Sequence, residues 1–146
     1  MKRLAVTLSG LAVVVSLAAC GGDSEAGGAK GQYISQGDVI CGEGIEQVDS
    51  INPGTDTATL EKVRDAWRQM WDQLNVLPVP HDGEAKALAF KSAVHNMSLT
   101  TEAAVQASMI GDQQKVERTL QVLAGSTKQA GDVADEYGFK VCSQLE

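Results

Sequence analysis

LEKVRDAWRQMWDQLNVL, residues 60–77, places apolar side chains at Leu60, Val63, Trp67, Met70, Leu74 and Leu77, in alternating steps of three and four. That rhythm is the buried seam of an amphipathic helix. Thr55, Asp56 or Thr57 can cap its start, and Pro78 and Pro80 stop it. The same rhythm returns at Val116, Leu120, Leu123, Thr127, Ala130, Ala134, Tyr137 and Val141. Asp112 can cap this run, and Gly138 suits the left-handed closing position with Phe139 folding back onto it. Between the two, Asp82 is the candidate cap for a helix carrying Phe90, Val94, Met97, Thr101 and Ala104, with Val105, Met109 and Ile110 beside the stripe and Gly111 at its end. A weaker helix precedes them, about Ser35 to Ile51, with Cys41, Ile45 and Val48 on one face. Its Gly37, Gly42 and Gly44 each lower helix propensity by roughly 1 kcal/mol relative to Ala. Short connections, such as Gly111-Asp112, predict an all-α, antiparallel up-down four-helix bundle.

The chain has 146 residues, and its apolar share of 43% includes only two Trp, two Tyr and two Phe. Such a composition predicts a core of Val, Leu, Ile, Met and Ala. Before the helices, Lys2 and Arg3 precede an apolar run from Leu4 to Val15, and Leu17-Ala18-Ala19-Cys20 closes it. Twelve residues reach only about 18 Å as a helix, short of the roughly 30 Å hydrocarbon core, so the run reads as a leader and not as a membrane span. Removing it takes away two bases and no acid, leaving ten Lys and Arg against 19 Asp and Glu, a net charge of −9. A body this acidic excludes nucleic acid and anionic lipid heads as natural partners.

The Leu-Ala-Ala-Cys box resembles the lipobox of bacterial lipoproteins, in which the cysteine thiol is acylated before cleavage. That resemblance implies a signal peptide over residues 1–19, a lipidated Cys20, and a cell-membrane anchor (diacylglyceryl and palmitate chains) on the extracytoplasmic face. Each buried methylene is worth about 0.8 kcal/mol, so acyl chains alone hold the protein there. The glycine-rich residues 20–31 read as a tether with a reach of roughly 18 Å. Residues 32–146 form the one folded domain. Assigning Cys20 to lipid leaves Cys41 and Cys142 as a pair, which outside the cytoplasm is oxidised. The start of the first helix and the end of the fourth share a pole in an up-down bundle, and both cysteines are expected there. The Pro78 to Asp82 loop lies at this tethered pole, while Asn52–Thr57 and Gly111-Asp112 lie at the distal one, open to a partner.

Beyond the leader, Tyr33-Ile34, Gly37-Asp38, Ile40-Cys41, the stretch Leu-Asn-Val-Leu-Pro-Val-Pro at 74–80, the Gly111-Asp112 turn and the closing Tyr137 to Cys142 run resemble small helical-bundle lipoproteins of actinobacteria. Proteins of this kind mostly have no assigned activity. The resemblance implies an envelope location and a disulfide-tied bundle, and it transfers no catalytic residue. This chain departs from it at Gly37, where such proteins often carry alanine.

Catalytic motifs are missing from the sequence. His81 and His95 are the only imidazoles, fourteen residues apart, and a zinc site usually needs three or four protein ligands, so no metal or cofactor is expected. Gly125-Ser126-Thr127-Lys128 lies in a helical run and lacks the order of a phosphate loop. The expected function is a non-enzymatic, monomeric, lipid-anchored interaction module that docks another envelope protein. The alternative is a carrier of an apolar ligand, a lipid or haem, lined by Trp67, Trp71, Met70 and Met97. Alanines along the third and fourth helices favour docking, because helices that approach closely leave little room for a cavity.

Overall fold

Asp56 starts the central helix. Its carboxylate accepts from the Thr59 amide at 3.0 Å and from the Thr59 hydroxyl at 2.7 Å, bonds that hold its pKa below the usual carboxylate value. The helix that follows, α2 (Thr57–Val76), ends where Leu77 turns extended ahead of Pro78. It buries Leu60, Trp67, Met70 and Leu74, four of the six seam residues, while Val63 and Leu77 pack at the edge. The computed structural model describes residues 28–145, and within them α2 is joined by α1 (Ala29–Asp49), α3 (Glu84–Met109) and α4 (Gln113–Tyr137). The protein is an all-α bundle of four helices.

Contacts along neighbouring helices run in opposite order. Arg64 meets Glu102, Trp71 stacks on His95, and the Asn75 carbonyl accepts from Lys91, so partners descend along α3 as they rise along α2. This is the ordering of antiparallel neighbours. Lys91 is 93% buried, and its ammonium donates to Asn75 O at 2.9 Å and Leu77 O at 3.3 Å, satisfying carbonyls orphaned at the end of α2. Burial lowers its pKa. The two poles assemble as expected. Thr57 and Ser108 share a hydroxyl bond of 2.9 Å at one end, and Lys86–Glu136 and Lys30–Asp82 pair across the other.

The fourth helix is capped by Asp112, which accepts from the Lys115 amide at 3.0 Å, and it closes at Gly138, φ 110°. Gly138 N–H donates to Asp135 O and Phe139 N–H to Ala134 O, the paired bonds of a Schellman turn. The chain then reverses. Residues 138–145 run back between α1 and α4, ending in a 3-10 turn, Cys142–Gln144. No Cα of α1 lies within 8 Å of one of α4; the two helices are bridged by this segment. Asp38 holds it, its carboxylate accepting from the amides of Lys140, Val141 and Cys142 at 2.8–3.1 Å. Phe139 seats on Gly37, where a Cβ would stand 2.5 Å from the ring, and Leu145 presses on Gly131.

Three expectations change accordingly. Cys41 and Cys142 do form a disulfide, with Cα atoms 5.1 Å apart, but Cys41 sits mid-helix in α1 and Cys142 lies beyond α4, reached by the returning segment. The first helix begins at Ala29, six residues before Ser35 and inside the stretch read as tether, and it ends at Asp49. Tertiary contacts outweigh its glycines, since Lys30 sits 5.2 Å over the Tyr137 ring and Tyr33 is buried. The cap of α3 is Gly83, φ 76°, and not Asp82; an added Cβ at Gly83 would meet the Tyr137 ring at 2.8 Å. Asp82 instead faces Lys30, and its carbonyl accepts from the Tyr137 hydroxyl at 3.4 Å.

The core is also less uniformly aliphatic than the composition predicts. Tyr33, Phe90, Tyr137 and Phe139, which are all the Tyr and Phe of the chain, form one aromatic cluster at the pole where α1 begins. Within it the Tyr33 hydroxyl is buried with no hydrogen-bond partner among the described residues, and burial beside Tyr137 pushes its pKa up to about 12. Tyr137 is raised too, by burial and by Asp82. A folded-state pKa above the unfolded one contributes stability that is complete below the unfolded value, near 10, and is lost as pH rises through the folded one. Alkaline titration is therefore expected to show phenolate absorbance rising late and together with loss of helix. Tyr33→Phe removes an unsatisfied hydroxyl, so it should raise stability by about 1 kcal/mol and leave only the Tyr137 part of the alkaline transition. Ordinary phenol titration in the intact fold would overturn this account of the cluster.

Candidate docking surface at the distal pole

The residues singled out in the sequence do not converge on one site. Cys20 lies outside the described residues. Trp67, Met70 and Met97 are buried in the main core cluster, Met70 and Met97 to 1% and 0% exposure. Met70 packs where a Cβ on Gly44 would be, so the glycine that weakens α1 in isolation lets α2 approach it. Trp71 is half-buried on the flank and stacks on His95, ring centroids 4.4 Å apart. The four residues expected to line a carrier cavity are thus three core side chains and one flank residue. Of them, Trp67 alone borders the groove described below. His81 is fully exposed. Among the described residues no three His, Cys, Asp or Glu side chains group as metal ligands.

The distal pole is built differently. A small second core of Leu60, Ala104, Val105, Ala107 and Val116 lies beneath it, with Leu120 packed against its edge. Ser108 ties the α1–α2 connection to the end of α3, bonding Thr57 and donating to the Thr55 carbonyl at 3.2 Å. The chain then turns within three residues through Gly111, φ 75°. This tight reversal leaves Met109 and Ile110 outside the core, 68% and 76% exposed and adjacent. Of the exposed large apolar residues, Val39, Val76, Leu88, Leu99, Met109, Ile110 and Val122, these two are the ones adjacent in the chain, and together they make a small apolar patch on one turn.

Beside the turn, α1 and α4 are separated by an open groove. The C-terminal segment lies in its proximal half, with Leu145 against Gly131 of α4. The distal opening, about 740 Å³, is bordered by Val48 and Asp49 at the end of α1, the 51–55 connection, Thr59, Leu60 and Val63 of α2 and, from α4, Leu120. A narrower continuation of about 250 Å³ passes Ile45, Trp67 and Thr127 to Leu145 and again touches Val48 and Asp49. That the α1–α2 and α3–α4 connections share one end of the bundle was legible from the order of helices. The groove was not, because helical periodicity gives no sign that α1 stands away from α4. Sequence and structure comparisons found no protein family, curated protein or solved structure that matches this chain.

Proposed function

We propose that the protein is a non-enzymatic, lipid-anchored module of the cell envelope that docks another envelope protein through its distal pole. The observation that carries the reading is the exposed Met109-Ile110 pair on the turn opposite the pole where α1 begins. Support from the sequence comes from the leader ending in Leu17-Ala18-Ala19-Cys20, which resembles a lipobox and would put the anchor at the other end of the bundle. A tether at the α1 start turns the α3–α4 turn outward, toward partners and away from the bilayer. The acidic body works in the same direction, since like charge keeps it off anionic headgroups.

The test is a photo-crosslinking side chain placed at Ile110 in intact cells, compared with one at His81 on the opposite pole. The expected result is a discrete adduct to one envelope protein from position 110, none from 81, and loss of the adduct when Cys20→Ala removes the acylated residue. Equal labelling from both poles, or a membrane-bound mature form that persists in Cys20→Ala, would overturn the reading.

A further inference from the structure

Resting on that docking reading, we infer that Met109 is an oxidation site: a peroxide converts its thioether to the sulfoxide, and the polar group so formed weakens docking at the distal pole while the fold stays intact. The sequence has four methionines, Met1, Met70, Met97 and Met109. The three among the described residues divide into two kinds. Met70 and Met97 are 1% and 0% exposed in the main core, whereas Met109 is 68% exposed at the end of α3. Oxidation follows access to the sulfur, so an oxidant in solution meets Met109 first.

The surroundings of Met109 confine the effect to docking. Its position is fixed from both sides, by the Ser108 hydroxyl bonded to Thr55 and Thr57 and by the Asp112 cap of α4 just beyond the turn. At Gly111 an added Cβ would meet nothing within 4 Å, so the turn projects into open space. A sulfoxide oxygen there is hydrated in the free protein and leaves packing untouched. Once a partner covers Met109 and Ile110, the same oxygen loses its water and is buried unpaired unless the partner supplies a donor. Met70 is the opposite case. It packs against Gly44, where an added oxygen would force α1 off α2. Oxidation in the core therefore reads as loss of helix, and oxidation at Met109 as loss of docking with the helices in place.

The reaction needs no group from the protein beyond the sulfur. Its lone pair attacks one oxygen of hydrogen peroxide and the O–O bond breaks. The departing hydroxide takes the proton from the hydroxyl carried to sulfur and leaves as water. Sulfur is oxidised by two electrons and the peroxide reduced by two.

Full-length protein is treated with hydrogen peroxide at neutral pH and mapped by peptide mass spectrometry, with helical circular dichroism recorded alongside. The expected result is one oxygen on Met109, gained at least about tenfold faster than on Met70 or Met97, with the helical signal unchanged. In intact cells a brief peroxide pulse should cut the adduct from position 110 about tenfold, the scale set by one unpaired polar group in an interface. Met109→Leu, apolar and not oxidisable, should keep the adduct through the pulse. Met109→Gln, a polar stand-in for the sulfoxide, should lose it without one. Met70 or Met97 oxidising as fast as Met109, an adduct that survives the pulse in the unaltered protein, a pulse that removes it from Met109→Leu as well, or a full adduct from Met109→Gln would each overturn the inference. No adduct even before the pulse overturns the docking reading and the switching with it, while the peptide map, which needs no partner, still decides whether Met109 is the oxidation site.

Discussion

Replacing Cys41 and Cys142 together by alanine is expected to lower the unfolding free energy by about 4 kcal/mol and the melting temperature by about 15 °C. The bridge closes a separation of 101 residues, and the chain-entropy model gives about 4.7 kcal/mol for a loop near that length. Part of that is offset because the returning segment stays attached by other means. Asp38 still accepts three amides, and Phe139 still packs on Tyr33, Phe90 and Tyr137. Alanine is the proper replacement, since both cysteines are wholly buried and serine would bury hydroxyls whose bonding is not assured. Urea unfolding followed by helical circular dichroism, with and without reductant on the unaltered protein, measures the effect. A loss under about 1 kcal/mol would mean that the segment is held without the bridge and that the pair is not what closes the bundle.

The local half of this fold is legible in the sequence. Asp56, Asp112 and Gly138 sit where caps must sit, and each makes the bonds its position implies. Thr101 and Thr127 fall on apolar stripes because each can bury its hydroxyl against a carbonyl one turn back, Met97 O and Leu123 O, both at 2.8 Å. What periodicity does not carry is any contact between residues a hundred positions apart. Gly37 and Asp38 look like defects of a marginal helix until Phe139 and the amides of residues 140–142 are laid against them. The distal surface divides the same way. Met109 and Ile110 could be placed near a turn from the sequence, but nothing in the periodicity shows that α1 and α4 are held apart by the returning segment.

Two glycines on α4 separate propensity from packing. Gly125→Ala adds a Cβ with nothing within 4 Å, so the change is expected to stabilise by about 0.5–1 kcal/mol, the ordinary gain of alanine over glycine in a helix. Gly131→Ala adds the same methyl six residues later on the same helix and carries the same propensity gain. There the Cβ would stand 2.5 Å from the Leu145 carbonyl oxygen and 3.3 Å from that of Ser143, both backbone atoms. Backbone cannot rotate aside as a side chain can, and the segment is pinned on its other side by the disulfide and Asp38. Overpacking of this kind costs about 1–3 kcal/mol, which exceeds the propensity gain, so Gly131→Ala is expected to destabilise by about 2 kcal/mol net. The two variants measured together isolate the returning segment as the cause. If Gly131→Ala were to stabilise as Gly125→Ala does, residues 143–145 would not lie on α4, and the groove would lose the wall that ends it.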